Sequence, residues 1–295
     1  MTRRPIYKVD AFTQTALQGS PAGVVPLARG LSEDDMLAVA RELNAPETAF
    51  VLPSRQGDVS LRFFTPTQEV PFSGHALVAS LSLLRELGEI STGEGPARVR
   101  VETAAGVLPV EIARDGDEYR VDVSQPPPAF QEFKGSTEEL LDALGADPSD
   151  VREDLPVELS FSGQWHLIVP LESSEALDDL MPDSRRLADL NRHSGAASTY
   201  AFVQEAEIFR CRDFAPATGV DEELVNGSSS GALGAYLLRH GIIRPGKAVS
   251  FLQGEARGRP GRARVVALGQ TGKPTGVVVG GHAVVALRGE VCLPE

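Results

Sequence analysis

The sequence predicts an α+β fold of two similar domains related by a pseudo-twofold axis, each a curled, mostly antiparallel sheet around a central apolar helix. Three observations predict it. The chain repeats itself once, two helical stretches are apolar on nearly every side, and most of the remainder alternates like short strands.

The repeat is an ordered series. Ala49-Phe50-Val51 is followed by Arg62-Phe63-Phe64-Thr65-Pro66, then Ser73-Gly74-His75, then Leu83-Leu84-Arg85 and Gly88. The second copy runs Ala201-Phe202-Val203, Arg212-Asp213-Phe214-Ala215-Pro216, Asn226-Gly227-Ser228, then Leu237-Leu238-Arg239 and Gly241. Any single match is chance, but a collinear set whose offset stays between 150 and 154 residues is a duplication. A twofold repeat of this length gives two like domains; a solenoid needs several short units.

The elements follow in order. Strands are expected at residues 6–12 and 22–27. Residues 32–44 place Met36, Val39, Ala40 and Leu43 on one stripe behind a Ser32 N-cap, which predicts a surface helix. Strands at 48–52 and 61–66 come next, the second ending in an aromatic-x-Pro turn, before Gly74 opens a helix over 75–87. That helix has no polar face, so it is predicted to be buried inside the sheet. Strands at 98–102, 107–112 and 119–123 complete the first half. Pro126-Pro127-Pro128 removes three ladder donors and is the predicted hinge. The domains are therefore set at 1–125 and 126–295, with the last strand free to cross back to the first. In the second half, strands are expected at 165–171, 200–203, 208–216, 264–268, 276–279 and 283–287, with the matching apolar helix at 231–238.

Composition bounds the function. With 42% apolar and 23% charged residues the chain is globular rather than disordered. No apolar run approaches the roughly 18–20 residues of a membrane span, and Met1-Thr2-Arg3-Arg4-Pro5 leads into a polar segment without a signal-peptide core. A cytoplasmic location is the expectation. A net charge of −13 argues against nucleic acid and anionic membranes as partners. Cys211 and Cys292 lie far apart without a Cys-x-x-Cys pattern and are expected as reduced thiols. His75, His166, His193, His240 and His282 show no ligand spacing, so no metal is expected and each is read first as a packed or surface histidine. The Gly-rich stretch from Gly254 to Gly261 is broken by Pro260 and by arginines, so no dinucleotide cofactor is expected either.

Glu47 follows Pro46 and precedes the apolar run Thr48-Ala49-Phe50-Val51-Leu52. A carboxylate at the mouth of a buried strand is poorly solvated, so its pKa should rise and suit proton transfer at carbon. A strand-edge glutamate facing water fits the same residues. His75 begins a buried helix, aimed into a site or satisfied by backbone. Asn226-Gly227-Ser228-Ser229-Ser230-Gly231 is a run of small residues opening a helix, either an anion cradle or a flexible cap.

Val9-Asp10-Ala11-Phe12-Thr13, Gly19-Ser20-Pro21-Ala22, Pro46-Glu47-Thr48-Ala49-Phe50, Phe64-Thr65-Pro66-Thr67, Ser73-Gly74-His75-Ala76 and Val279-Gly280-Gly281-His282 resemble the phenazine-biosynthesis PhzF-like family, collinearly over almost the whole chain. The resemblance implies a fold similar to diaminopimelate epimerase, with the active site between the domains and a homodimeric assembly. It places the acid/base glutamate on Glu47, a histidine on His75 and the serine of a Thr-Gly-Ser motif on Ser228. Ser20, Ser73, Gly74, Asn226, Gly227 and Ser229 become candidate substrate-binding positions. Phenazine-pathway members carry Asp-Pro-x-Thr-Gly-Ser, where this chain has Glu223-Leu224-Val225-Asn226-Gly227-Ser228. Glu223 thus stands in the aspartate's place with one extra methylene, which leaves the reaction class and removes the specific substrate. Epimerases of the related fold use one cysteine from each half just before the paired glycines. Those positions here are Ser73 and Asn226, which favours single-carboxylate proton transfer.

The expectation is a cofactor-independent isomerase that moves a proton on a small anionic, carboxylate-bearing substrate, with Glu47, His75, Glu223 and Ser228 as the catalytic set. Epimerisation or dehydration of an amino or hydroxy acid on the same scaffold is one rival. A non-catalytic metabolite-binding protein is the other.

Overall fold

The chain folds as two units, Met1–Ser124 with Gly280–Glu295, and Gln125–Val279, in a computed structural model that describes residues 2–93 and 95–293. Residues 280–295, counted with the second domain above, belong to the first unit. The first repeat comprises β1 (Thr2–Ala11), β2 (Ser20–Val25), α1 (Glu33–Leu43), β3 (Glu47–Leu52), β4 (Val59–Phe64), β5 (Glu69–Val70), α2 (Gly74–Glu86), β6 (Ala97–Thr103), β7 (Gly106–Asp115) and β8 (Glu118–Ser124). After it come β9 (Ala129–Glu132), α3 (Thr137–Leu144), β10 (Glu158–Phe161), β11 (Trp165–Pro170), α4 (Ser174–Asp178), α5 (Ser184–Ser194), β12 (Ser198–Glu205) and β13 (Ile208–Ala215). The chain ends with β14 (Val220–Glu223), α6 (Gly227–Arg239), β15 (Ala248–Gln253), β16 (Gly261–Gln270), β17 (Lys273–Gly281) and β18 (Ala283–Leu293).

In the first unit β2 and β3 run parallel, β3 and β4 antiparallel, and β4 and β6 parallel, after which β6, β7 and β8 meander. α2 packs against β1, β2, β3, β8 and β18, so the sheet wraps the helix. The sequence explains why. Ala76, Leu77, Val78, Ala79, Ser80 and Leu81 are six consecutive buried residues, and no face is left for water. Buried Ser80 satisfies its hydroxyl on the Ala76 carbonyl at 2.7 Å. α1 instead buries the predicted stripe of Met36, Val39, Ala40 and Leu43, behind a capping box in which Ser32 Oγ accepts from Asp35 N at 3.1 Å and Asp35 Oδ2 from Ser32 N at 3.0 Å.

The second unit repeats the plan. β11 and β12 are parallel, β12 and β13 antiparallel, β13 and β15 parallel, β15 and β16 antiparallel, and α6 packs against β10, β11, β12 and β16. The strand after each repeat's eighth strand completes the other unit's sheet: β9 pairs with β10, and β18 with β1. Arg62 and Arg212 are structural ion pairs in both copies. Arg62 grips Glu69 through Nε at 2.7 Å and Nη2 at 2.6 Å, and Arg212 grips Glu222 at 3.0 Å through each nitrogen. Their guanidinium carbons sit 5.1 Å and 4.9 Å from the ring centroids of Phe64 and Phe214. Among the described residues no helix is long and apolar enough to cross a membrane.

Candidate functional site

In the first unit the predicted residues gather where β3 and α2 begin. Glu47 opens β3 opposite Ala22 of the parallel neighbour, and His75 is the second residue of α2. Their side chains meet with His75 Nε2 3.0 Å from Glu47 Oε2, and both atoms are closed off from solvent. Ser73 is the buried N-cap of α2, yet its side chain makes no capping bond, so the first amides of this helix have no side-chain acceptor from the cap. Ser20 is buried at the start of β2, paired with Ala11. The loop before it is held in left-handed backbone at Phe12 (φ 62°) and Leu17 (φ 69°), and Asp10 Oδ2 ties it by accepting from Leu17 N at 2.7 Å.

One expectation is corrected here. Burial pushes the Glu47 carboxyl up, as foreseen, but the charge and hydrogen bond of the adjacent His75 outweigh it, and the pKa lies below the ordinary glutamate value. Glu47 is therefore an ionised carboxylate at neutral pH.

In the second unit Asn226 caps α6, its side-chain oxygen accepting from Ser228 N at 2.9 Å. Gly227 is open: a Cβ there would meet nothing within 4 Å. Ser229, expected on the cradle, is fully buried and donates to the Asn226 carbonyl at 3.2 Å. Glu223 ends β14 directly opposite Asp213 of β13.

Three residues not singled out as functional join this group. His166, read as a packed histidine, is buried and bridges two hydroxyls, Nδ1 to Ser198 Oγ at 2.7 Å and Nε2 to Ser228 Oγ at 2.9 Å. Burial pushes its pKa down to about 3, so the ring is neutral. Asp213 has no exposed surface, and burial raises its pKa to about 7 against the help of the Ser198 and Ser229 hydroxyls, with Glu223 and Glu222 adding repulsion. The serine-rich helix start was visible in the sequence; its histidine partner on another strand was not.

Buried Cys211 and exposed Cys292 are both free, and burial pushes the Cys211 thiol well above its ordinary pKa, which makes it a poor nucleophile. Neither lies at the start of α2 or α6.

The match to known proteins is collinear. The model of the phenazine biosynthesis-like proteins, PhzC-PhzF, covers residues 9–289. A Deinococcus radiodurans protein named as an uncharacterized isomerase is 38% identical over 289 residues, 96% of this chain and 92% of its own. The trans-2,3-dihydro-3-hydroxyanthranilate isomerase of Pseudomonas fluorescens is 36% identical over 287 residues, 97% of this chain and 98% of its own. The crystal structure of a PhzF-family phenazine biosynthesis protein from Bacillus anthracis superposes with a TM-score of 0.91 at 29% identity, covering 99% of this chain and all of that one (100%). On the family match and on relatives of this similarity along nearly its whole length, the chain belongs to the phenazine biosynthesis-like family, PhzC-PhzF.

Proposed function

We propose that this chain, an isomerase of the PhzC-PhzF family, shifts a proton between two carbons of a small carboxylate-bearing metabolite, with Glu47 as both base and acid. The observation that carries the proposal is the solvent-shielded 3.0 Å approach of Glu47 Oε2 to His75 Nε2. The ionised Glu47 takes a proton from a carbon next to a carbon–carbon double bond conjugated with the substrate's carboxylate, and that double bond shifts as the C–H bond breaks. The C–H electron pair delocalises toward the substrate carboxylate, and the proton returns from Glu47 to a second carbon, so the reaction is balanced without a co-reactant. His75 orients the carboxylate and holds it ionised between turnovers. Each unit has its own helix start, Gly74 in the first and Gly227 in the second, whose backbone amides suit a negatively charged group, and in the second Ser228 adds a hydroxyl. We assign Glu223 to orientation, and Ser20, Ser73 and Asn226 to substrate binding, each within its own unit. The same proposal takes the working form to be a cytoplasmic homodimer.

Incubation with trans-2,3-dihydro-3-hydroxyanthranilate and a panel of small unsaturated acids in deuterated water tests the reaction. At least one acid is expected to gain a single carbon-bound deuterium with its double bond moved. Deuterium at the original carbon with inverted configuration would mean an epimerase, and tight binding without exchange a binding protein; either result ends the isomerase mechanism.

The role of the glycines is separable from stability. A Cβ at Gly74 would meet only Phe72 Cε1, at 3.8 Å, and one at Gly227 nothing within 4 Å. Gly74→Ala and Gly227→Ala are expected to hold or raise stability by about 0.5–1 kcal/mol, because alanine loses less backbone freedom. Where a substrate carboxylate lies on these amides, the added methyl is expected to raise KM about tenfold. Thermal melts beside KM measurements check both halves.

A further inference from the structure

His166, Ser198 and Asp213 have no part in the proton shift described above, yet each is buried and polar. We propose that His166 is a positioning residue: with Ser198 and Asp213 it forms a buried hydrogen-bond wire that decides whether the Ser228 hydroxyl, at the start of α6, donates to or accepts from a ligand. The assignment of Ser228 to substrate rests on the proposed function; the wire itself does not.

Parallel pairing of β11 with β12 puts His166 beside Ser198, and antiparallel pairing of β12 with β13 brings Asp213 opposite Tyr200, two residues along from Ser198. Hydrogen bonds join the Ser198 hydroxyl to His166 Nδ1 (2.7 Å) and Nε2 to Ser228 Oγ (2.9 Å), and Asp213 is the group beside the Ser198 hydroxyl that would close the wire. In the resting geometry neither Asp213 oxygen has a well-directed hydrogen bond, although the Ser198 and Ser229 hydroxyls are close enough to favour its charged form.

A neutral imidazole has one N–H and one lone pair, and each hydroxyl has one hydrogen. Those counts leave two arrangements. When Asp213 is ionised it can only accept, so Ser198 donates to it, Nδ1–H donates to Ser198, and the Nε2 lone pair takes the Ser228 hydrogen. Ser228 then offers a ligand lone pairs alone. When Asp213 is protonated every bond reverses: Asp213 donates to Ser198, Ser198 to Nδ1, and Nε2–H to Ser228. The Ser228 hydrogen is then free for a carboxylate oxygen, with Asn226 Oδ1 at 3.1 Å and Gln164 Oε1 at 3.5 Å as resting acceptors. The two forms differ by one proton, which the wire takes from solvent as pH falls and returns to it as pH rises; the remaining hydrogens only change partners.

The groups facing Asp213 favour such a switch. Glu222 and Glu223 repel its charge from β14, and Cys211 of β13 and Tyr200 of β12 add buried thiol and phenol. Arg212 is committed to Glu222. His166 is held neutral by burial, so it answers the switch by changing tautomer and not by gaining charge.

Nitrogen NMR of the full chain labelled with 15N-histidine reads the tautomer without any substrate. The His166 signals are identified by their change in Ser198→Ala, which deletes the Nδ1 partner. In the unsubstituted protein the ring is expected to stay neutral and to pass from mostly Nε2–H to mostly Nδ1–H as pH rises through the Asp213 value of about 7. Asp213→Asn and Ser198→Ala, two independent breaks in the wire, are each expected to make the tautomer ratio independent of pH. A single tautomer across that range, a switch that survives Asp213→Asn, or a ring that becomes cationic near the ordinary histidine value would each overturn the proposal. These outcomes stand whether or not the chain proves to be a proton-shifting isomerase.

Discussion

Glu47→Gln is expected to lower turnover by about three orders of magnitude, the scale on which a general base contributes, while the protein stays folded. The substitution keeps the size of the side chain and an oxygen for His75 but removes the site that accepts a proton. The partner geometry bounds the structural cost, because Glu47 is the first residue of β3 and its carboxylate makes no ion pair beyond His75 among the described residues. The substitution also carries a pH signature. The folded-state pKa of Glu47 is lowered, so its ionised form stabilises the protein above the unfolded glutamate value, and that contribution is lost as pH falls through the folded one. Melting temperatures of Glu47→Gln are therefore expected to fall less steeply in acid than those of the unsubstituted chain. A Gln variant with full turnover would remove Glu47 from the mechanism, whatever its melting curve.

The same pair shows what a sequence can carry. The position of Glu47 at a strand mouth and of His75 at a helix start was legible from Pro46, Gly74 and the apolar runs that follow. The direction of the Glu47 pKa was not, because it depends on a 3.0 Å approach between residues 28 positions apart in the chain. Burial alone predicts the wrong sign. The buried helices α2 and α6 were legible because nothing but full enclosure suits a run such as Leu77 to Leu81. α5 was not: Arg185, Arg186, Asp189, Arg192 and His193 dominate it, and it buries Leu187, Ala188 and the polar Asn191. Its clues were the Asp183 cap and its match in the repeat to α1. β10 hid for a related reason. It buries Glu158 and Ser160, and the carboxylate is met by His240 Nε2 at 2.7 Å, a partner 82 residues away. The His166–Ser198–Asp213 wire is the extreme case, since only strand register assembles it and no local spacing encodes strand register.

Leu77→Ala is expected to cost about 2–5 kcal/mol, the largest stability effect among the changes considered, measured by denaturant unfolding. Leu77 has no exposed surface and lies on a helix with strands on every side, so surrounding atoms cannot close in without moving the sheet. Leu37 of α1 supplies the contrast. It is only partly buried against its cluster, and its truncation to alanine is expected to cost under about 1.5 kcal/mol because the outer face of α1 meets water. Leu77 also lies two residues beyond His75, at the end of α2 where the Nε2–Oε2 approach is set. A cavity there loosens the ring that holds Glu47 ionised, so Leu77→Ala is expected to lower kcat at temperatures where the protein is still fully folded. Leu84→Ala, buried two turns further along, should cost comparable stability with kcat preserved. Equal costs at Leu77 and Leu37 would mean that α2 is not enclosed. Equal kcat in the Leu77 and Leu84 variants would mean that the start of α2 does not set the His75 geometry.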